Sequence, residues 1–106
     1  MFIDRPNKHT YVYSMSRKQT YQWDEAKRAG NLRKHKVDFA LIEKFDWDNA
    51  LTREDTRLDY HEARYVSIGP VDARLYVAVW TARGSDCRLI SLRKANDREV
   101  EFYECS

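Results

Sequence analysis

A chain of 106 residues with 42% hydrophobic and 34% charged side chains is the size of one domain with one modest core, and its apolar and aromatic content is too high for a disordered chain. No apolar run approaches about 18 residues and the N-terminus has no signal-peptide apolar region, so membrane spanning and export drop out and the cytoplasm is the expected compartment. The net charge of +2 indicates no partner by itself, but Arg17 to Lys36 holds seven Lys or Arg against two acids and Glu43 to Glu62 holds seven acids against three Lys or Arg, a polarity that suits phosphate at the basic lobe.

Residues 1–20 contain Pro6 and only a brief apolar pattern at Tyr11 to Tyr13, so they are expected to be a leader ahead of one domain over residues 21–106. Met15 offers an alternative start, in which case residues 1–14 are not part of the native chain. Tyr21 and Trp23 end a short alternation. Asp24 then caps a helix from about Glu25 to His35, with Ala26, Ala29 and Leu32 on one side and Lys27, Asn31 and Lys34 on the other. Asp38 is placed to cap a second helix, whose Phe39, Ile42 and Phe45 recur every three residues and belong in the core.

A short strand is expected near Ala50 to Glu54, followed by three better ones: Tyr65 to Ile68 ending at Gly69-Pro70, Leu75 to Thr81, and Cys87 to Arg93. The links Gly69–Asp72 and Ala82–Asp86 carry turn chemistry and are short, which implies antiparallel pairing. Period-two alternation puts Leu75, Val77 and Val79 with Val66, Ile68, Ile90 and Leu92 on a helix-covered face, and Tyr65, Tyr76, Trp80, Ser91 and Arg93 on an opposite, aromatic and cationic face. Asn96 with Glu99 three positions on reads as a capping box for a last helix with Val100 on its inner edge. The fold class is α+β: an antiparallel sheet of about four strands packed on two N-terminal helices and a C-terminal helix.

Cys87 and Cys105 lack metal-ligand spacing and are read as reduced thiols, and His9, His35 and His61 form no paired motif, so neither a metal site nor a cofactor is expected.

Trp23, Asp24, Lys27, Asn31, Lys34 and His35 match the spacing W-D-x-x-K-x-x-x-N-x-x-K-H. A second block carries Glu62, Arg64 and Ile68-Gly69, then Arg88, Ile90, Ser91, Arg93, Lys94 and Ala95, then Glu99 and Tyr103. With these two ordered blocks the chain resembles the BrnT family of toxins from Tyr21 to Tyr103. It departs from the family at Lys36, where a Gly usually follows the Lys-His pair. The resemblance implies a RelE-like microbial ribonuclease fold and metal-free RNA cleavage that arrests translation. It also implies a BrnA-like ribbon-helix-helix antitoxin that neutralises the toxin and itself binds operator DNA, so that DNA is reached only through the antitoxin.

Metal-free RNA cleavage needs a base for the 2′-OH, cations for the charged phosphorane and an acid for the leaving 5′ oxygen. Arg64, Arg88 and Arg93 suit phosphate and transition-state binding, because guanidinium groups stay charged and bind phosphate through two N–H groups. Glu62, Glu99, His35 and Tyr103 are the expected proton carriers, in no fixed order. Lys27 and Lys34 are electrostatic guides for RNA, and Trp80 offers a ring for base stacking. Each also has a plain structural reading: Arg64 in an ion pair, Glu99 as a cap, Tyr103 in the core, His35 at a helix dipole. A noncatalytic adaptor that only holds a protein or nucleic acid stands as the alternative function.

Overall fold

The computed structural model describes residues 19–57 and 61–106. The expected leader and the alternative start at Met15 thus lie, apart from Gln19 and Thr20, outside the described residues. The elements run β1 (Thr20–Gln22), α1 (Glu25–His35), two 3₁₀ helices (Phe39–Lys44 and Trp47–Asn49), β2 (Leu51–Glu54), β3 (Tyr65–Val71), β4 (Arg74–Arg83), β5 (Asp86–Lys94) and α2 (Asp97–Glu104). The strands form one sheet in the order β1-β5-β4-β3-β2. Instead of about four antiparallel strands, the sheet has five among the described residues and is mixed, because β1 lies parallel to β5 with Tyr21 beside Cys87 and Gln22 beside Arg88. Short links reveal antiparallel neighbours only; nothing local ties β1 to a strand that follows more than sixty residues later.

Asp24 caps α1 as expected, its Oδ1 accepting from the Ala26 and Lys27 N–H groups at 2.7 and 3.2 Å. The helix ends on Lys36, which adopts the left-handed conformation (φ 61°) and donates its N–H to Leu32 O at 2.9 Å. A lysine carries the closing turn usually left to glycine, at roughly 1 kcal/mol of strain. The expected orientation of this helix is corrected: Ala26, Ala29 and Leu32 are exposed, and Asn31 is the buried residue, with Arg28 and His35 half-buried along the same stripe. The helix docks through hydrogen bonds rather than through an apolar face, so hydrophobic periodicity points the wrong way.

The second expected helix is a 3₁₀ segment. Asp38 caps it, accepting from Ala40 N at 2.9 Å. The three-residue repeat of Phe39, Ile42 and Phe45 eclipses on a 3₁₀ helix, and all three are buried. Among the described residues, one α-helix and two 3₁₀ helices therefore precede β2.

Both sheet faces are covered, which reorders the expected faces. Phe39, Ile42, Phe45 and Val37 pack with Ala78, Leu89 and Leu92, and with Tyr76 and Trp80, on one face. Val100 and Tyr103 of α2 pack with Val66, Ile68, Val77, Leu75 and Val79 on the other. Register decides this: Ala78 stands opposite Leu92 and Val77 opposite Arg93, and a bulge between Val79 and Trp80 brings Val79 opposite Ser91 but Trp80 opposite Leu89. A one-residue shift sends each side chain to the other face. Leu92 therefore joins the Tyr76 and Trp80 face, whereas Ser91 and Arg93 join the Val77 face.

The strand thought to end at Gly69-Pro70 continues to Val71, and the turn is Asp72-Ala73, with Asp72 at φ 53°. Gly69 is needed for close approach: a Cβ there would stand 2.7 Å from Phe45 Cζ and 3.0 Å from Ala50 Cβ. Gly69→Ala should displace Phe45 and lower stability by about 1–3 kcal/mol. An unchanged urea midpoint would show that this corner of the core yields freely.

Candidate active site

The face carrying Val77 is divided. α2 takes the part over Val66, Ile68, Val77 and Ala95. Beyond it the register lines up Arg53, Val66, Val79 and Ser91 in one row across four strands, and Gln22, Arg88 and Thr81 in the next. Arg64 precedes Val66 by two residues, which on an extended chain points to the same side. Arg93 borders the part covered by α2. Arg53, Arg64, Arg88 and Arg93 are all half-buried.

Two carboxylates stand beside these arginines. Arg93 meets Glu99 with both Nη atoms at 2.8 Å, and Glu99 Oε1 also accepts from Asn96 N at 2.9 Å while Glu99 N donates to Asn96 Oδ1 at 2.8 Å. The expected capping box is present, and the same carboxylate fixes the guanidinium. The Arg93 hydrogen bond, helped by the Asn96 N–H and the charges of Arg93 and Arg53, holds Glu99 below the usual glutamate range. Glu62 is lowered chiefly by its bonds to Arg83, at 2.8 and 2.9 Å, and further by the charges of Arg64 and Arg88. Both stay ionised at neutral pH and act first as anchors. Arg88 differs, because its Nη1 donates to the neutral Oε1 of Gln22 at 2.9 Å, and no described carboxylate lies within ion-pair distance of it.

His35, at the end of α1, has its pKa lowered from the ordinary 6.5 by burial first, then by the charges of Lys34 and Arg93. It is therefore neutral at pH 7 and able to accept a proton. The Tyr103 hydroxyl donates to Asn49 O at 2.6 Å, tying α2 to the second 3₁₀ helix. Lys27 and Lys34 are exposed on α1, which lies along the edge of β5. Trp80 is corrected: it sits on the opposite face, tilted against Tyr65 and edge-on to Trp47, with its indole N–H donating to Ser67 Oγ at 2.9 Å. Trp80 follows the alternation of β4 with Tyr76 and Ala78, and the bulge brings Arg88, opposite Thr81, to the side of Ser91.

The sequence reading missed Arg53 and Gln22. Arg53 follows Leu51 by two residues in the strand expected near Ala50 to Glu54, so alternation in β2 could have placed it. Among the described residues no three His, Cys, Asp or Glu side chains gather as a metal ion would require, and no helix is long and apolar enough to cross a membrane.

The family model described as "Ribonuclease toxin, BrnT, of type II toxin-antitoxin system" matches residues 23–99. The chain belongs to the BrnT family. The match begins at Trp23 and ends at Glu99, so it spans the first block, the second block as far as Glu99, and the four arginines Arg53, Arg64, Arg88 and Arg93; Tyr103 lies beyond it. Membership makes the chain a type II ribonuclease toxin and implies an antitoxin partner. No curated protein matches the chain.

Proposed function

We propose that this BrnT toxin has a RelE-like fold and cleaves RNA, without a metal ion, on the arginine-lined half of the Val77 face, arresting translation in the cytoplasm. The 2′-oxygen attacks the adjacent phosphorus and gives its proton to a base; the bond from phosphorus to the 5′ oxygen breaks, and that oxygen takes a proton. The products are a 2′,3′-cyclic phosphate and a 5′-hydroxyl. The observation that carries this reading is the convergence of Arg53, Arg64, Arg88 and Arg93 on one partly buried surface, with Arg88 bonded only to a neutral amide among the described side chains. Guanidinium groups in that setting stabilise the extra negative charge of the phosphorane.

Arg88 and Arg64 hold the phosphate, Arg93 is oriented toward it by Glu99, and His35 is the base. Tyr103, releasing its hydrogen bond to Asn49 O, supplies the proton to the leaving group, while the ionised Glu62 stays an anchor. Lys27 and Lys34 guide the RNA from outside the chemistry. A BrnA-like ribbon-helix-helix antitoxin inhibits by covering the arginine surface with acidic and apolar side chains, and reaches operator DNA on behalf of the pair.

The His35 assignment fixes a sign for pH. A base works in its neutral form, so kcat/KM should rise with pH through the His35 pKa, and the acid limb should lie below 6.5. Removing a neighbouring cation in Lys34→Gln should move that limb upward, and His35→Gln should abolish it. A limb unmoved by either change assigns the base elsewhere.

The reading is tested by incubating purified toxin with ribosome-free RNA. Cleavage abolished by Arg88→Ala in a folded protein supports it. RNA binding without cleavage in the wild type would favour the noncatalytic adaptor.

A further inference from the structure

At the end of the sheet away from Arg88, on the opposite face, a cleft of about 540 Å³ opens between the first 3₁₀ helix and the strand ends, lined by Lys36, Asp38, Glu43, Lys44, Tyr76 and Lys94 among others. Its volume falls within the roughly 300–1,000 Å³ of small-ligand sites. We propose that this cleft is a second RNA subsite, binding a single-stranded nucleotide that flanks the cleaved position, with a base on Tyr76 and its phosphates on Lys36, Lys44 and Lys94. The proposal rests on the RNA-cleaving reading above and adds a location and a ligand to it.

Three features favour a polyanion with a flat base. Tyr76 and Lys94 are directly paired across β4 and β5, so ring and ammonium project side by side. Lys36 arrives from the left-handed end of α1 and Lys44 from the end of the 3₁₀ helix, placing cations on both walls. Of the two lining acids, Asp38 is already held through both oxygens by Arg28, at 2.8 and 2.9 Å, leaving Glu43 as the carboxylate against three lysines. An aromatic ring within a cationic groove is how sequence-tolerant single-strand binding is built.

The route between the two sites is short in sequence. Arg93 and Lys94 are consecutive on β5 and project to opposite faces, so one strand carries positive charge from the cleavage surface to the cleft. An RNA that passes the end of β5 meets both. An acidic protein segment would find the lysines as well, but a flat base stacked on Tyr76 with its phosphates on the flanking lysines uses ring and charge together, so RNA is the occupant the cleft fits better.

The test uses the triple variant Lys36→Gln, Lys44→Gln, Lys94→Gln and, separately, Tyr76→Leu, which keeps an apolar side chain against the core. Binding is measured with a 2′-O-methyl oligoribonucleotide of about twelve nucleotides, within the span of single-strand sites, and cleavage with that length of RNA and with a dinucleotide. The triple variant should bind the long RNA about tenfold more weakly, with the salt slope reduced by about two. Its KM should rise for long RNA while kcat and dinucleotide cleavage stay unchanged, and Tyr76→Leu should weaken long-RNA binding without reducing the salt slope. Unchanged long-RNA affinity in the triple variant, equal loss on dinucleotide and long RNA, or loss of antitoxin binding alone would overturn the subsite. If the wild type binds the long RNA through these lysines yet cleaves nothing, the cleavage reading fails, and with it the placement beside a cleaved position, while the cleft is still shown to bind RNA.

Discussion

Asn31→Ala is expected to destabilise the protein by about 3–5 kcal/mol, above the range of most single substitutions. β1 pairs with β5 only at Asp86 to Arg88, so further along β5 an edge is open. Asn31 fills that place: its Nδ2 donates to Leu92 O at 2.7 Å and to Val37 O at 3.0 Å, and its Oδ1 accepts from Leu92 N at 3.1 Å. One carboxamide from a helix thus pairs with both backbone groups of a strand residue. Truncation leaves three buried polar groups, each costing about 1–3 kcal/mol when unsatisfied, with water offsetting part of the sum. Domains of this size have only about 5–15 kcal/mol to lose. Asn31→Asp should be no better, since a carboxylate would face two carbonyl oxygens. Urea unfolding measures both; a loss under about 1 kcal/mol would mean that the edge of β5 does not depend on Asn31. Because Arg93 follows Leu92 directly, releasing this edge should also reduce cleavage.

The second large effect concerns activity. Arg93→Ala should lower RNA cleavage by about 10²–10³-fold, the range for removing one preorganised donor from a developing negative charge. Stability should fall by about 1–3 kcal/mol, because Glu99, about a quarter exposed, loses a charged partner while keeping the Asn96 N–H. The Asn96 capping box survives, so α2 keeps its start. Arg93→Lys retains the charge but not the two-pronged contact with Glu99, and should recover only part of the rate. Wild-type kcat in a folded Arg93→Ala protein would remove this residue from the chemistry.

What the sequence made legible and what it hid follow from the kind of interaction involved. Caps are local, so Asp24, Asp38 and Asn96 with Glu99 were readable from neighbouring residues. So was the burial of Phe39, Ile42 and Phe45, although the repeat fits a 3₁₀ helix better than the expected α-helix. Three features were hidden because they depend on distant partners. The parallel pairing of β1 spans most of the domain. Asn31 looks like part of a solvated stripe until Leu92 is beside it. The β4–β5 register sets Ser91 and Arg93 on the Val77 face with Arg53, and the Val79/Trp80 bulge brings Arg88 to the same face while Trp80 stays with Tyr76 and Ala78. The arginines of the site were legible as residues of the two blocks, but their shared surface was not. β4 is apolar at both parities, at Val77 and Val79 and again at Tyr76, Ala78 and Trp80, so alternation alone could not say which face lay open.

The central claim is that the arginine surface cleaves RNA by internal attack of the 2′-oxygen. The most direct measurement is to identify the ends left on a defined RNA by purified toxin in excess chelator, with Arg88→Ala run beside it. The account predicts 2′,3′-cyclic phosphate and 5′-hydroxyl ends from the wild type and intact RNA from the folded variant. Ends carrying a 5′-phosphate, activity lost to the chelator, or undiminished cleavage by Arg88→Ala would contradict it.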